Sequence, residues 1–119
     1  MLEVTTLPAR LDFRHWKGDD LDVTIEVYSV SGTTETPVDF TGYTAAMVWE
    51  RPGNDTAVLS ISTSAEITFP AAGQIRIQVT DTALDAALDL GKYDIRIKLT
   101  SAGGLNKTYF AGSFKFEYK

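Results

Sequence analysis

The chain has 119 residues, enough for one domain that buries a core of its own without staples. It has no cysteine, which excludes disulfides, thiolate catalysis and cysteine-ligated zinc, and it has a single histidine. Its net charge of −5 is uneven: residues 1–60 hold ten acidic and four basic side chains, residues 61–119 six and seven, and so acidic a first half argues against wrapping nucleic acid.

No apolar run approaches the length of a membrane span, so membrane insertion is not expected. Residues 1–8 lack the basic start and apolar core of a signal peptide and read as an N-terminal arm ahead of a single domain over 9–119. Pro8 cannot donate to a ladder, so a first strand is expected after it, through Leu11, Phe13 and His15. Lys17-Gly18-Asp19-Asp20 is turn chemistry. Leu21, Val23, Ile25 and Val27 then alternate with polar residues up to Tyr28, a strong strand signal.

Ser31 to Pro37 reads as a polar loop, and Val38 to Gly42 as a tight turn in which Gly42 supplies positive φ. Tyr43, Ala45, Met47 and Trp49 form one face of the next strand. Ala46 and Val48 point the other way, which suggests cover on both sides. Short strands follow at Ala57–Ser62 and Ile67–Phe69, then a turn at Pro70–Gly73 and an alternating strand ending at Val79.

Residues 81–90 are the one helical candidate. Asp81 or Thr82 can cap it, Leu84 and Leu88 share a face, and Gly91 stops it. So short a helix is not stable alone, so both leucines must dock on the core. Tyr93, Ile95, Ile97 and Leu99 begin the next strand, Ala102-Gly103-Gly104 turns the chain, and the last strand carries Thr108, Phe110, Gly112, Phe114, Phe116 and Tyr118 on one parity.

Seven or eight strands with regular turn signals predict an all-β fold. Asp89-Leu90-Gly91-Lys92-Tyr93 narrows it further. D-x-G-x-Y at the head of an alternating strand is the local signature of a tyrosine corner, in which a hydroxyl returns to backbone just upstream. The predicted fold is an immunoglobulin-like antiparallel β-sandwich with one short helical crossing at about 81–90, and a jelly roll or another two-sheet Greek key is the alternative. Trp49 is then the candidate core tryptophan beside Ile95, with Ile25 or Val27 where antibody domains place the first cysteine. Asp89, Gly91, Tyr93, Trp49, Gly42 and Tyr43 are the expected structural residues.

Catalytic chemistry finds little support. His15 has no nucleophile motif near it, and no G-x-S-x-G, phosphate loop or H-E-x-x-H sequence occurs. Asp19, Asp20, Asp22 and Glu26 are the densest carboxylates, and a turn plus a solvated strand face explains them without a metal. No catalytic residue, metal ligand or cofactor site is assigned. The aromatic last strand raises a different possibility. If it is an edge it invites pairing, which makes Phe110, Phe114, Phe116 and Tyr118, with Trp16, the candidate interface. Lys107, Lys115 and Lys119 blunt that edge only in part. Trp16, Trp49, Tyr109 and the last strand are also the aromatics a glycan-stacking platform would use.

Several segments carry a resemblance: F-x-x-W-x-G-D-D from Phe13, P-V-D-F-T-G-Y-T-A from Pro37 to Ala45, the Thr80–Leu88 crossing, and the final G-S-F-K-F. Over about residues 10–118 the chain resembles small bacteriophage and prophage proteins of the tail and virion. It is similar to the N-terminal β-sandwich of siphophage upper baseplate proteins. Phe40 stands where leucine is commoner. The resemblance implies a non-enzymatic structural role in a tail, baseplate or fibre attachment. The partners would be other virion proteins or further copies of the chain, and the location the virion after assembly in the host cytoplasm. The alternative function is a glycan- or host-surface-binding sandwich, which requires Trp16 or Tyr109 to face solvent.

Overall fold

The computed structural model describes residues 9–54, 56–63 and 65–118. The expected N-terminal arm and Lys119 lie outside the described residues. Among the described residues ten strands and one helix follow in chain order: β1 (Ala9–Trp16), β2 (Leu21–Glu26), β3 (Tyr28–Ser31), β4 (Thr34–Pro37), β5 (Thr44–Glu50), β6 (Ala57–Ser62), β7 (Ile67–Thr68), β8 (Gln74–Val79), α1 (Asp81–Ala87), β9 (Gly91–Thr100) and β10 (Asn106–Glu117). The alternation expected from Leu21 to Tyr28 divides into β2 and the start of β3, with Val27 between them.

Five strands form one sheet in the order β1-β10-β9-β5-β6, and three form the second, β2-β8-β7. The β3–β4 pair stands apart from both. The fold is an all-β sandwich of immunoglobulin-like type: β2, β8 and β7 take the B, E and D places, β5, β9 and β10 the C, F and G places, and β6 adds a C′ strand. All sheet pairings are antiparallel except one, since β1 lies parallel to β10 from Ala9↔Phe110 to Trp16↔Glu117.

The two inner faces supply the core. Met47, Trp49, Tyr93, Ile95, Ile97, Leu99, Phe114 and Phe116 come from the larger sheet, and Leu21, Ile67, Ile75, Ile77 and Val79 from the smaller. Trp49 is fully buried directly across from Ile95. Its ring meets the edge of Phe114 at 5.7 Å. Each such large apolar side chain contributes roughly 1.5–3 kcal/mol on burial, which is why their alternation dictates register.

The crossing helix begins at Asp81, so its cap lies one residue before the expected one. Thr80 is the N-cap, and its hydroxyl accepts the Ala83 N–H at 3.2 Å. Leu84 and Leu88 are both buried, and their burial offsets the cost of a helix only two turns long. After it, the Tyr93 hydroxyl meets the backbone of Asp89, donating to its carbonyl at 2.9 Å and accepting its N–H at 2.8 Å. This is the tyrosine corner at the crossing between sheets.

Three expectations need correction. The Ser31–Pro37 loop contains a strand: with Tyr28–Ser31 it makes a hairpin closed by Gly32-Thr33, Gly32 at φ 62° as a type II′ turn requires. The outer side of β5 is open, with Ala46 exposed and Val48 half-buried. The last strand is no free edge where β1 covers it. It also bulges: Thr108 opposes Lys98 and Phe110 opposes Ile97, so Tyr109 is the extra residue and Thr108 turns outward, off the Phe110–Phe116 face.

Candidate contact site

The expected interface residues do not form one surface. Phe114 and Phe116 lie fully in the core, a correction: they sit on the inner face of β10, with Trp49 against Phe114, and β1 pairs along the edge that was expected to be free. Phe13 and His15 of β1 share their face: Phe13 sits 5.9 Å from Phe114, and the His15 ring stacks 6.3 Å from Phe116. Phe110 is half-buried against the same core. Trp16 is half-buried on the outer face, where the Arg14 guanidinium lies 5.1 Å from its ring. Tyr118 alone of the five is openly exposed.

His15 has no catalytic setting. A carbonyl accepts only, so its Nε2–H donates to the Asp19 carbonyl at 2.8 Å, and its ring lies against phenylalanines. The nearby carboxylates diverge. Asp20 accepts the Asp81 N–H at 2.8 Å, Asp22 takes a bidentate pair from Arg76 at 2.9 and 3.1 Å, and Glu26 accepts from Tyr28. Among the described residues no group of three or more His, Cys, Asp or Glu side chains could hold a metal. The Arg76 guanidinium holds the Asp22 carboxyl below its ordinary value, and the Thr41 hydroxyl and N–H do the same for Asp39.

The Asp39–Tyr43 segment is structural. The Thr41 N–H and hydroxyl both donate to Asp39 Oδ1, at 2.9 and 2.6 Å, and Tyr43 N–H donates to the Phe40 carbonyl at 2.9 Å. Phe40 is buried between Phe69 and Tyr43. Gly42 has φ 78°, and a Cβ there would meet Ala102 Cβ at 2.8 Å. Tyr109 packs near Tyr43: burial raises its hydroxyl pKa, and Tyr43 adds to the rise. Gly91, at φ 140°, opens β9.

What remains open is the β3–β4 hairpin, the outer sheet face and the sheet edges. All eight hairpin residues are exposed, including Tyr28 and Val30, the latter 61% exposed. Between Lys17 and Arg51 the chain has seven carboxylates and no lysine, arginine or histidine, so the hairpin emerges from a wholly acidic stretch. Glu26 and Glu35 raise the Tyr28 hydroxyl pKa, chiefly through the Glu26 charge. On the outer face Ala46, Val48, Arg96, Lys98 and Thr108 line a shallow hollow of about 300 Å³. Arg96 there pairs with the nearly buried Glu50 at 3.0 Å.

The hairpin and the β6 edge were not singled out by the residues alone. An exposed ribbon has no apolar face, so it leaves no period-two signal. Its one readable mark was Ser-Gly-Thr-Thr at a hairpin-compatible spacing. Comparison with protein-family models gives no match, and comparison with curated proteins gives none either.

Proposed function

We propose that the chain is a non-enzymatic assembly module of a phage virion, placed in the tail, its baseplate or a fibre attachment and acting through protein–protein contacts. The observation that carries this reading is the β3–β4 hairpin, exposed on both faces. A two-stranded ribbon is marginal alone, and one whose eight strand residues all stand exposed offers a contact element to a partner surface. Its acidic surroundings favour a basic partner surface. The resemblance of Pro37–Ala45 to tail and baseplate proteins supports the same reading, because those residues build a turn and its packing. The partners are other virion proteins or further copies of the chain, with neither nucleic acid nor membrane insertion involved, and the location is the virion after cytoplasmic assembly.

The glycan-binding alternative needs bare aromatic faces. Trp16 and Tyr109 are both half-buried, with Arg14 at 5.1 Å and Lys107 at 5.2 Å from their rings. No flat, open platform results. Mass spectrometry of purified particles tests the assembly reading: the chain is expected in a fixed ratio to known tail proteins, and its absence from particles overturns the reading.

A further inference from the structure

The exposed sheet edges of this sandwich are not guarded alike. Along β1, Arg10, Asp12 and Arg14 alternate with apolar residues and are held in ion pairs. β2 carries Asp22 and Glu26, and β7 is two residues long. Charge and shortness are the usual devices that blunt an edge. β6 has neither. Its six residues, Ala57-Val58-Leu59-Ser60-Ile61-Ser62, contain no charge, proline or glycine, and Thr63 continues them uncharged. Among the described residues β6 pairs with β5 only.

The free backbone groups can be identified. Thr63 N–H donates to the Ala45 carbonyl, so Thr63, Ile61 and Leu59 turn their polar backbone toward β5. Ser60 and Ser62 therefore turn theirs outward. Leu59 and Ile61 oppose Trp49 and Met47, so their side chains lie on the core face.

We propose that β6 pairs antiparallel with β6 of a second copy, about a two-fold axis through Ser60. In this register the two Ser60 residues exchange backbone hydrogen bonds, and Leu59 of each copy stands beside Ile61 of the other. A residue-centred axis keeps core-facing side chains on the core face, so two five-stranded sheets become one and the apolar layer continues across the joint. No charge opposes a like charge along the contact. A strand six residues long makes a small interface. The dimer therefore forms at high micromolar concentration and is reinforced where copies are held close together in an assembly. The proposal rests on the assembly reading only in taking the domain to act through protein contacts.

The absence of native cysteine makes the test clean. Ser60 and Thr82 are both exposed, so a thiol is tolerated at either. In the paired register the two residue-60 Cα atoms are about 5.5 Å apart, within disulfide reach. Ser60→Cys is expected to give a covalent dimer under mild oxidation, many-fold faster than Thr82→Cys at equal concentration. Wild-type protein is expected to sediment as a dimer at high micromolar concentration, and Ser60→Lys as a monomer with an unchanged thermal midpoint. Equal cross-linking by the two thiol variants, a monomeric wild type, or a dimer that survives Ser60→Lys overturns the pairing. Pairing of β6 with another protein's strand would appear as the monomeric outcome. Particle composition is read separately, so failure of this pairing leaves the virion reading distinguishable.

Discussion

The Tyr93 hydroxyl and the backbone of Asp89 close a small ring, 2.9 Å to the carbonyl and 2.8 Å from the N–H. Arg51 covers it from outside, its guanidinium 5.2 Å from the Tyr93 ring and 3.0 Å from the Asp89 carboxylate. The crossing helix and β9 are thereby tied at the point where the chain passes between sheets. Tyr93→Phe removes both hydrogen bonds and keeps the ring. It is expected to cost about 1–2 kcal/mol, because part-buried backbone groups lose their partner. Arg51→Ala removes an exposed pair and a cation–π contact and is expected to cost less than about 1 kcal/mol. Urea denaturation of the two variants measures both, and the reverse order would show that the corner is not what holds the crossing.

Gly112 is the point where β1 meets β10. A Cβ there would stand 1.9 Å from the Leu11 carbonyl oxygen, which is backbone and cannot swing aside. Gly112→Ala is expected to lift β1 from the sheet at a cost of about 1–3 kcal/mol or more. Hydrogen exchange reads this directly: β1 amides lose protection while those of β9 and β5 keep it.

Four carboxylates have lowered pKa values, three of them exposed and Glu117 half-buried. Asp12 is held below 3.8 first by Arg10 and then by Ser113, Asp22 by Arg76, and Asp39 by the Thr41 hydroxyl and N–H. Glu117 is held below 4.5 by Arg14 and then Lys115. Because the folded values are depressed, the unfolded chain binds more protons and stability rises with pH. Their contribution is complete above the ordinary carboxylate values and is lost as pH falls through the lower folded ones. The thermal midpoint is expected to hold level from neutral pH down to that range and then to drop. Asp39→Ala should lower the neutral midpoint and flatten the acid drop, since one of the depressed groups is gone. An acid drop as steep as the wild type's would contradict this assignment.

The hairpin divides into an anchored root and a free tip. At the root, Val27 N–H donates to the Gly73 carbonyl and Gly73 N–H to the Val38 carbonyl, each at 2.7 Å. A Cβ on Gly73, at φ 74°, would meet Pro37 Cβ and the Val27 carbonyl oxygen at 2.9 Å. Gly73→Ala is expected to cost more than about 1 kcal/mol through strained φ and the close approach. Val30→Lys at the tip is expected to stay within about 0.5 kcal/mol of wild type. Thermal melts of both variants check the contrast.

The sandwich was legible because β2, β5, β8 and β9 each bury one face and expose the other, which stamps period two on the residues. The corner was legible because a hydroxyl reaching four residues back is a local event. Three features were not. The β1–β10 parallel pairing joins residues about a hundred positions apart, so nothing local records it. The bulge at Tyr109 shifts parity within one strand, which moved Thr108 off the face assigned to it. Phe114 and Phe116 were read as an uncovered aromatic edge when they lie on the inner face of β10 in the core, with β1 paired along that edge. The hairpin left only its Ser-Gly-Thr-Thr turn to read, because alternation records burial and both of its faces stand exposed.

We propose that this domain assembles virions through surfaces its own chain leaves uncovered. Deleting the gene and restoring it as wild type or as the Tyr28→Ser/Val30→Lys double variant tests that claim most directly, with particles viewed by negative-stain electron microscopy and titred. Particles with a missing or incomplete tail structure are expected in the deletion, with rescue by wild type and failed rescue by the hairpin variant despite its unchanged thermal midpoint. Intact particles at wild-type titre in the deletion strain would contradict it.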